Sequence, residues 1–103
     1  PAPGLDAWPR ASVLLLDDEQ GMRNFLEKTL APRCGNVQSA ASAEEADALV
    51  RRHRFDLVIL DISLPGKSGL AWLRELREQG YSGEVVLITA YADLDTAIEA
   101  LRA

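Results

Sequence analysis

The stretch "SVLLLDDEQ", Ser12 to Gln20, runs five mostly apolar residues straight into three consecutive acids. A short apolar run of this kind reads as a buried strand, Val13–Leu16. Carboxylates crowded at the edge of a core repel one another and lose hydration, so Asp17, Asp18 and Glu19 need compensation. A second apolar run, "FDLVILD", ends the same way at Asp61.

Working outward, short apolar runs alternate with segments of helical period. Asp18 or Glu19 opens a first helix, whose apolar residues Met22, Phe25, Leu26 and Leu30 read as a core face. "APRCG", with Pro32 and Gly35, stops it. Asn36–Ala40 is a weak second strand. Ser42 with Glu45 three residues on is a capping-box pattern, and the helix it opens carries Ala46, Leu49 and Val50. Leu57–Leu60 is the third strand and "PGKSG" a loop. A helix through Leu70, Leu73 and Leu76 follows and stops at Gly80. Trp72 on that helix reads as half-buried packing or part of an interaction face. Val85–Ile88 is the fourth strand, and Asp93 or Asp95 opens a last helix through Leu94, Ala97, Ile98 and Leu101. This βαβαβαβα order predicts an α/β fold: a parallel sheet, covered on both faces, with right-handed crossovers.

At 103 residues the chain suits one small domain with a modest core, and its 48% apolar and 26% charged residues are ordinary for a globular protein. A net charge of −5 argues against direct nucleic-acid binding by this segment. No apolar run approaches a bilayer span, so no membrane contact is expected. The single Cys34 excludes an internal disulfide and fits a reducing, cytoplasmic setting. Residues 1–11, opening "PAPGLDAWPR", read as an extended N-terminal lead-in before a domain over 12–103. His53 follows Arg51 and Arg52 near a helix end and reads as solvated.

In an open parallel sheet, ligands bind beyond the carboxyl ends of the strands. Asp17 and Asp18 follow the first strand, Asp61 ends the third and Thr89 ends the fourth. If the first and third strands are neighbours, three carboxylates converge. Oxygen donors without His or Cys suit a hard cation that keeps its waters, Mg²⁺ rather than zinc. A carboxylate beside such an ion is also a nucleophile toward phosphorus, forming an aspartyl phosphate. The plain alternative is that Asp18 merely caps the first helix.

"VLLLDDE", "DLVILDISLPGKSGL" and "VVLITAY" together resemble the signature segments of receiver domains of two-component response regulators. The likeness covers about Ser12 to Ala103. It implies a flavodoxin-like doubly wound sheet of order 2-1-3-4. It also implies that Asp61 accepts a phosphoryl group from a sensor histidine kinase, making the domain a phosphoacceptor switch that assists its own phosphorylation and dephosphorylation, not an enzyme in its own right. Asp17 and Asp18 would hold Mg²⁺ with Asp61 and the backbone carbonyl of Ser63. Thr89 would be the switch hydroxyl, with Ala90 and Ile62 around the phosphoryl group. Pro65 and Gly66 would shape the loop, Gly69 falls where the family has glycine, and Ser63 and Tyr91 would tune the lifetime of the phosphorylated state. "LITAYADLDTAIEALRA" looks most like receivers of sigma-54-dependent, NtrC-type transcription regulators. That implies a C-terminal output domain of AAA+ and DNA-binding type, with homodimerisation a further expectation.

One departure stands out. Receivers have a fifth strand ending in a lysine, and then a fifth helix; neither has a counterpart in these residues. Without that lysine, weak phosphorylation or none is expected of this stretch alone, and the fourth strand would be an edge. The alternative reading is a degenerate receiver, a phosphorylation-independent interaction module. A haloacid-dehalogenase-like phosphatase would want an acid where Ser63 stands, and a flavin phosphate would be repelled by "DDEQ".

Overall fold

The computed structural model describes residues 10–62, 64 and 67–88. The expected last helix, most of the lead-in, and Ser63, Pro65, Gly66, Thr89, Ala90 and Tyr91 lie outside the described residues. The elements are β1 (Ser12–Leu16), α1 (Gln20–Leu30), β2 (Asn36–Ala40), α2 (Ala43–Arg52), β3 (Leu57–Asp61), α3 (Gly69–Glu78) and β4 (Glu84–Ile88). The strands form one parallel sheet of order β2-β1-β3-β4. This is the flavodoxin-like order expected from the sequence.

Two apolar layers explain why the inner strands are apolar without alternation. Leu14, Leu16, Val58 and Leu60 pack with Ala43, Ala46, Trp72, Leu73 and Leu76 under α2 and α3. Val13, Leu15, Leu57 and Ile59 point the other way, toward Leu26 and Leu30 of α1. Successive strand residues alternate faces, so a strand covered on both sides must be apolar at every position.

The two layers are unequal, which corrects one expectation. No residue of α1 is buried, and Phe25 is 63% exposed. Phe25 and Met22 are therefore not core. Consecutive helical residues lie about 100° apart, so when Leu26 faces the sheet Phe25 swings off it. Trp72 departs in the other direction, at 1% exposure, and its indole Nε1 donates to Asp47 Oδ1 at 2.8 Å. The small Ala43 and Ala46 in the same cluster leave room for the ring.

Helix ends follow the local chemistry. Ser42 Oγ accepts from Glu45 N, while the Glu45 carboxylate accepts from Ala41 N, one residue before the cap. Ser68 Oγ accepts from Ala71 N and starts α3. Gly80 terminates that helix at φ +94°, with Tyr81 N donating to Leu76 O and Gly80 N to Arg77 O. That pair of bonds needs a left-handed residue, which glycine adopts without a Cβ penalty. Among the described strands β4 is an edge, and its Val86 is 46% exposed.

Candidate phosphoryl and metal site

Parallel pairing of β1 with β3 aligns Leu16 with Leu60, so the residues that follow each strand emerge side by side. Asp17 and Asp61 are buried, whereas Asp18 is exposed. One carboxylate oxygen from each of Asp17, Asp18 and Asp61 can be chosen so that all three lie within 4.8 Å of one another. The structure thus brings together the three carboxylates singled out in the sequence.

The surrounding backbone holds them there. Asp17 N donates to Ala40 O, extending the β1–β2 ladder by one residue. Asp17 Oδ1 accepts from Glu19 N at 2.9 Å, and Asp17 O accepts from Arg23 Nη1 at 2.8 Å. Sequence reasoning missed Arg23; its one signal is a place in the first turn of α1, where it can reach back to the preceding loop. On the other side Asp61 pairs in register with Ile88, the residue before Thr89, and Ile62 N donates to Ile88 O. Ile62 is itself buried next to Asp61.

The capping alternative for Asp18 fails on geometry. The N-cap position of α1 is Glu19, and it makes no side-chain cap bond. The Asp18 carboxylate makes no hydrogen bond to any described residue. Carboxylates brought this close repel one another, and a bound cation would compensate them.

The donor set fits a magnesium-like ion. All three donors are carboxylate oxygens, and no His or Cys joins them among the described residues. Octahedral Mg²⁺ with ligands at about 2.0–2.1 Å places neighbouring oxygens about 3 Å apart and opposite ones about 4 Å apart. A group spanning 4.8 Å needs only small side-chain rotations, or an intervening water, to reach that geometry. Lys67, on the loop after Asp61, is turned to Glu75 at 2.6 Å. That hydrogen bond raises the Lys67 pKa.

Residues 13–103 match the family model described as the response regulator receiver domain. The response regulator protein PilR of Pseudomonas aeruginosa is 40% identical over 94 residues, covering 91% of this chain and 21% of PilR. The chain thus spans about a fifth of that relative's length. The structure of NtrX from Brucella abortus in complex with ATP has a TM-score of 0.83 at 33% identity, over 89% of this chain and 21% of that one. The response regulator TrrA from Thermotoga maritima, solved in complex with Mg(2+)-BeF, has a TM-score of 0.73 at 35% identity, over 84% of this chain and 79% of that one. PilR and NtrX bear out the expected likeness to receivers of NtrC-type regulators.

Proposed function

The chain belongs to the family of response regulator receiver domains, and from that premise we propose that Asp61 accepts a phosphoryl group from a sensor histidine kinase. An Asp61 carboxylate oxygen attacks phosphorus as the N–P bond of the phosphohistidine breaks, and the departing imidazole takes up a proton. Asp17 and Asp18, with Asp61 and the backbone carbonyl of Ser63, hold Mg²⁺. The ion supplies positive charge to the phosphoryl oxygens during in-line transfer. Thr89 is the switch hydroxyl, and Ile62 and Ala90 flank the phosphoryl group.

The observation that carries this reading is the convergence of Asp17, Asp18 and Asp61 within 4.8 Å, with the Asp18 carboxylate bonded to no described residue. The relative TrrA, solved with Mg(2+)-BeF, supports the same chemistry for a homologous site. Phosphorylation then shifts a surface read by a C-terminal output domain, of AAA+ and DNA-binding type, in cytoplasmic control of transcription. The receiver itself spans about 12–103, after an N-terminal extension, and pairs as a homodimer.

Metal binding is tested by adding Mn²⁺, in place of Mg²⁺, to the isotopically labelled protein. Amide signals of residues 17–19 and 61–62 should broaden selectively, and Asp18→Asn should abolish the effect. Broadening elsewhere, or none at millimolar-scale metal, would remove the basis for the proposal.

A further inference from the structure

A second feature lies at the opposite end of the sheet, where β3 and β4 begin. The α2–β3 and α3–β4 connections enclose a cleft of about 760 Å³. Phe55, Leu76 and Tyr81 line its walls, and Arg51, His53 and Arg54 line its rim. Arg51, His53 and Arg54 are exposed. Neither Arg51 nor Arg54 is held by a carboxylate among the described residues. The one acid lining the cleft, Asp56, accepts from Ser12 N at Oδ2, 2.8 Å away, and keeps its charge; it and Glu84 act on Tyr81 rather than pairing with either arginine. On a chain of net charge −5, the rim of this cleft presents two guanidinium groups without carboxylate partners among the described residues, beside the half-buried Tyr81 and the edge of the buried Phe55.

A purely structural role explains part of it. Arg51 and Arg52 stand in the last turn of α2, where cations complement the helix dipole. Arg54 lies beyond the C-cap residue His53, outside that turn, so the dipole does not account for it. Both α2 and α3 end at this cleft, so they turn carbonyl ends toward it. A compact polyphosphate favours the opposite, a helix N-terminus with free N–H groups. Carboxylates spread along a chain can instead meet the guanidinium groups one at a time.

We propose that this cleft docks an acidic segment of a partner polypeptide, with carboxylates on Arg51 and Arg54 and an apolar side chain against Phe55 and Tyr81. The surface is remote from the carboxylate trio and does not depend on Mg²⁺ or on phosphorylation of Asp61.

The test is a titration of the labelled protein with a short synthetic Glu-rich peptide carrying one Phe, followed by amide shifts. Shifts should map to residues 51–55 and 80–83, and binding should weaken with added salt. Arg51→Ser/Arg54→Ser should weaken binding about tenfold, the effect of roughly 1.4 kcal/mol. Lys28→Ser/Arg33→Ser, which removes the same charge from another surface, should leave it unchanged. Unchanged amide shifts away from the cleft in each variant establish that it is folded. The proposal is overturned if the peptide does not bind, if a Gln-for-Glu peptide binds equally, or if both double variants weaken binding alike. It is also overturned if inorganic tripolyphosphate occupies the cleft and excludes the peptide, which would make this a small-anion site.

Discussion

Gly69 abuts the backbone of Asp61: a β-carbon on Gly69 would stand 3.1 Å from the Asp61 carbonyl carbon, and closer still to its oxygen. The same atom would lie 2.8 Å from the Cα of Ile62, closer than real β-carbons approach other heavy atoms. Glycine is needed here for approach, because the first residue of α3 packs on the end of the strand that presents Asp61.

Gly69→Ala therefore sets two effects against each other. Alanine favours a helix over glycine by about 0.5–1 kcal/mol. Overpacking against backbone costs about 1–3 kcal/mol. The clash should win, with a net loss of stability on denaturant unfolding and displaced amide signals at Asp61 and Ile62. A variant as stable as the parent would show that α3 can shift without cost.

The Trp72–Asp47 bond joins α3 to α2 beneath the sheet. Asp47→Ala leaves a buried indole N–H without its acceptor, at a cost of about 1–3 kcal/mol. In a Trp72→Phe background the same change should cost much less. A double-mutant cycle on unfolding free energy measures the coupling, expected at about 1 kcal/mol or more. Additive single effects would mean that water replaces Asp47 without penalty.

Tyr81 sets the alkaline limit. Burial pushes its phenol up to about 12, partly opposed by the Arg77 guanidinium 5.6 Å from the ring centre. An unfolded tyrosine titrates near about 10. Between those values the unfolded chain loses a proton that the folded one keeps, so folding stability is intact below pH about 10 and falls toward about 12. The tyrosinate absorbance difference between the parent and Tyr81→Phe should rise near 12; a rise near 10 would contradict the burial.

Much of this architecture was legible in the chain because β1 and β3 are covered on both faces. Runs such as "VLLL" and "LVIL" have no polar position, and the acids that close them mark the strand ends. Asn36–Ala40 was legible even though it is weakly apolar, from its place between two helix signals. The α1 face was not, because helical spacing alone does not say which side of a stripe a sheet will cover; Leu26 and Leu30 turn inward and Phe25 does not. Trp72 was underestimated because the space for it comes from Ala43 and Ala46, distant in sequence. For Asp18, spacing allowed a cap, and only the geometry at Glu19 removes that role.

Asp61 is the proposed phosphoacceptor, in a site completed by Asp17 and Asp18. The direct measurement is intact mass of the full-length polypeptide carrying this sequence, after incubation with Mg²⁺ and acetyl phosphate, beside Asp61→Asn. One added phosphoryl group, absent in the variant and after chelation of the metal, is the predicted result. An unmodified mass with folded protein and Mg²⁺ present, or an adduct that survives Asp61→Asn, would contradict it and favour a phosphorylation-independent interaction module.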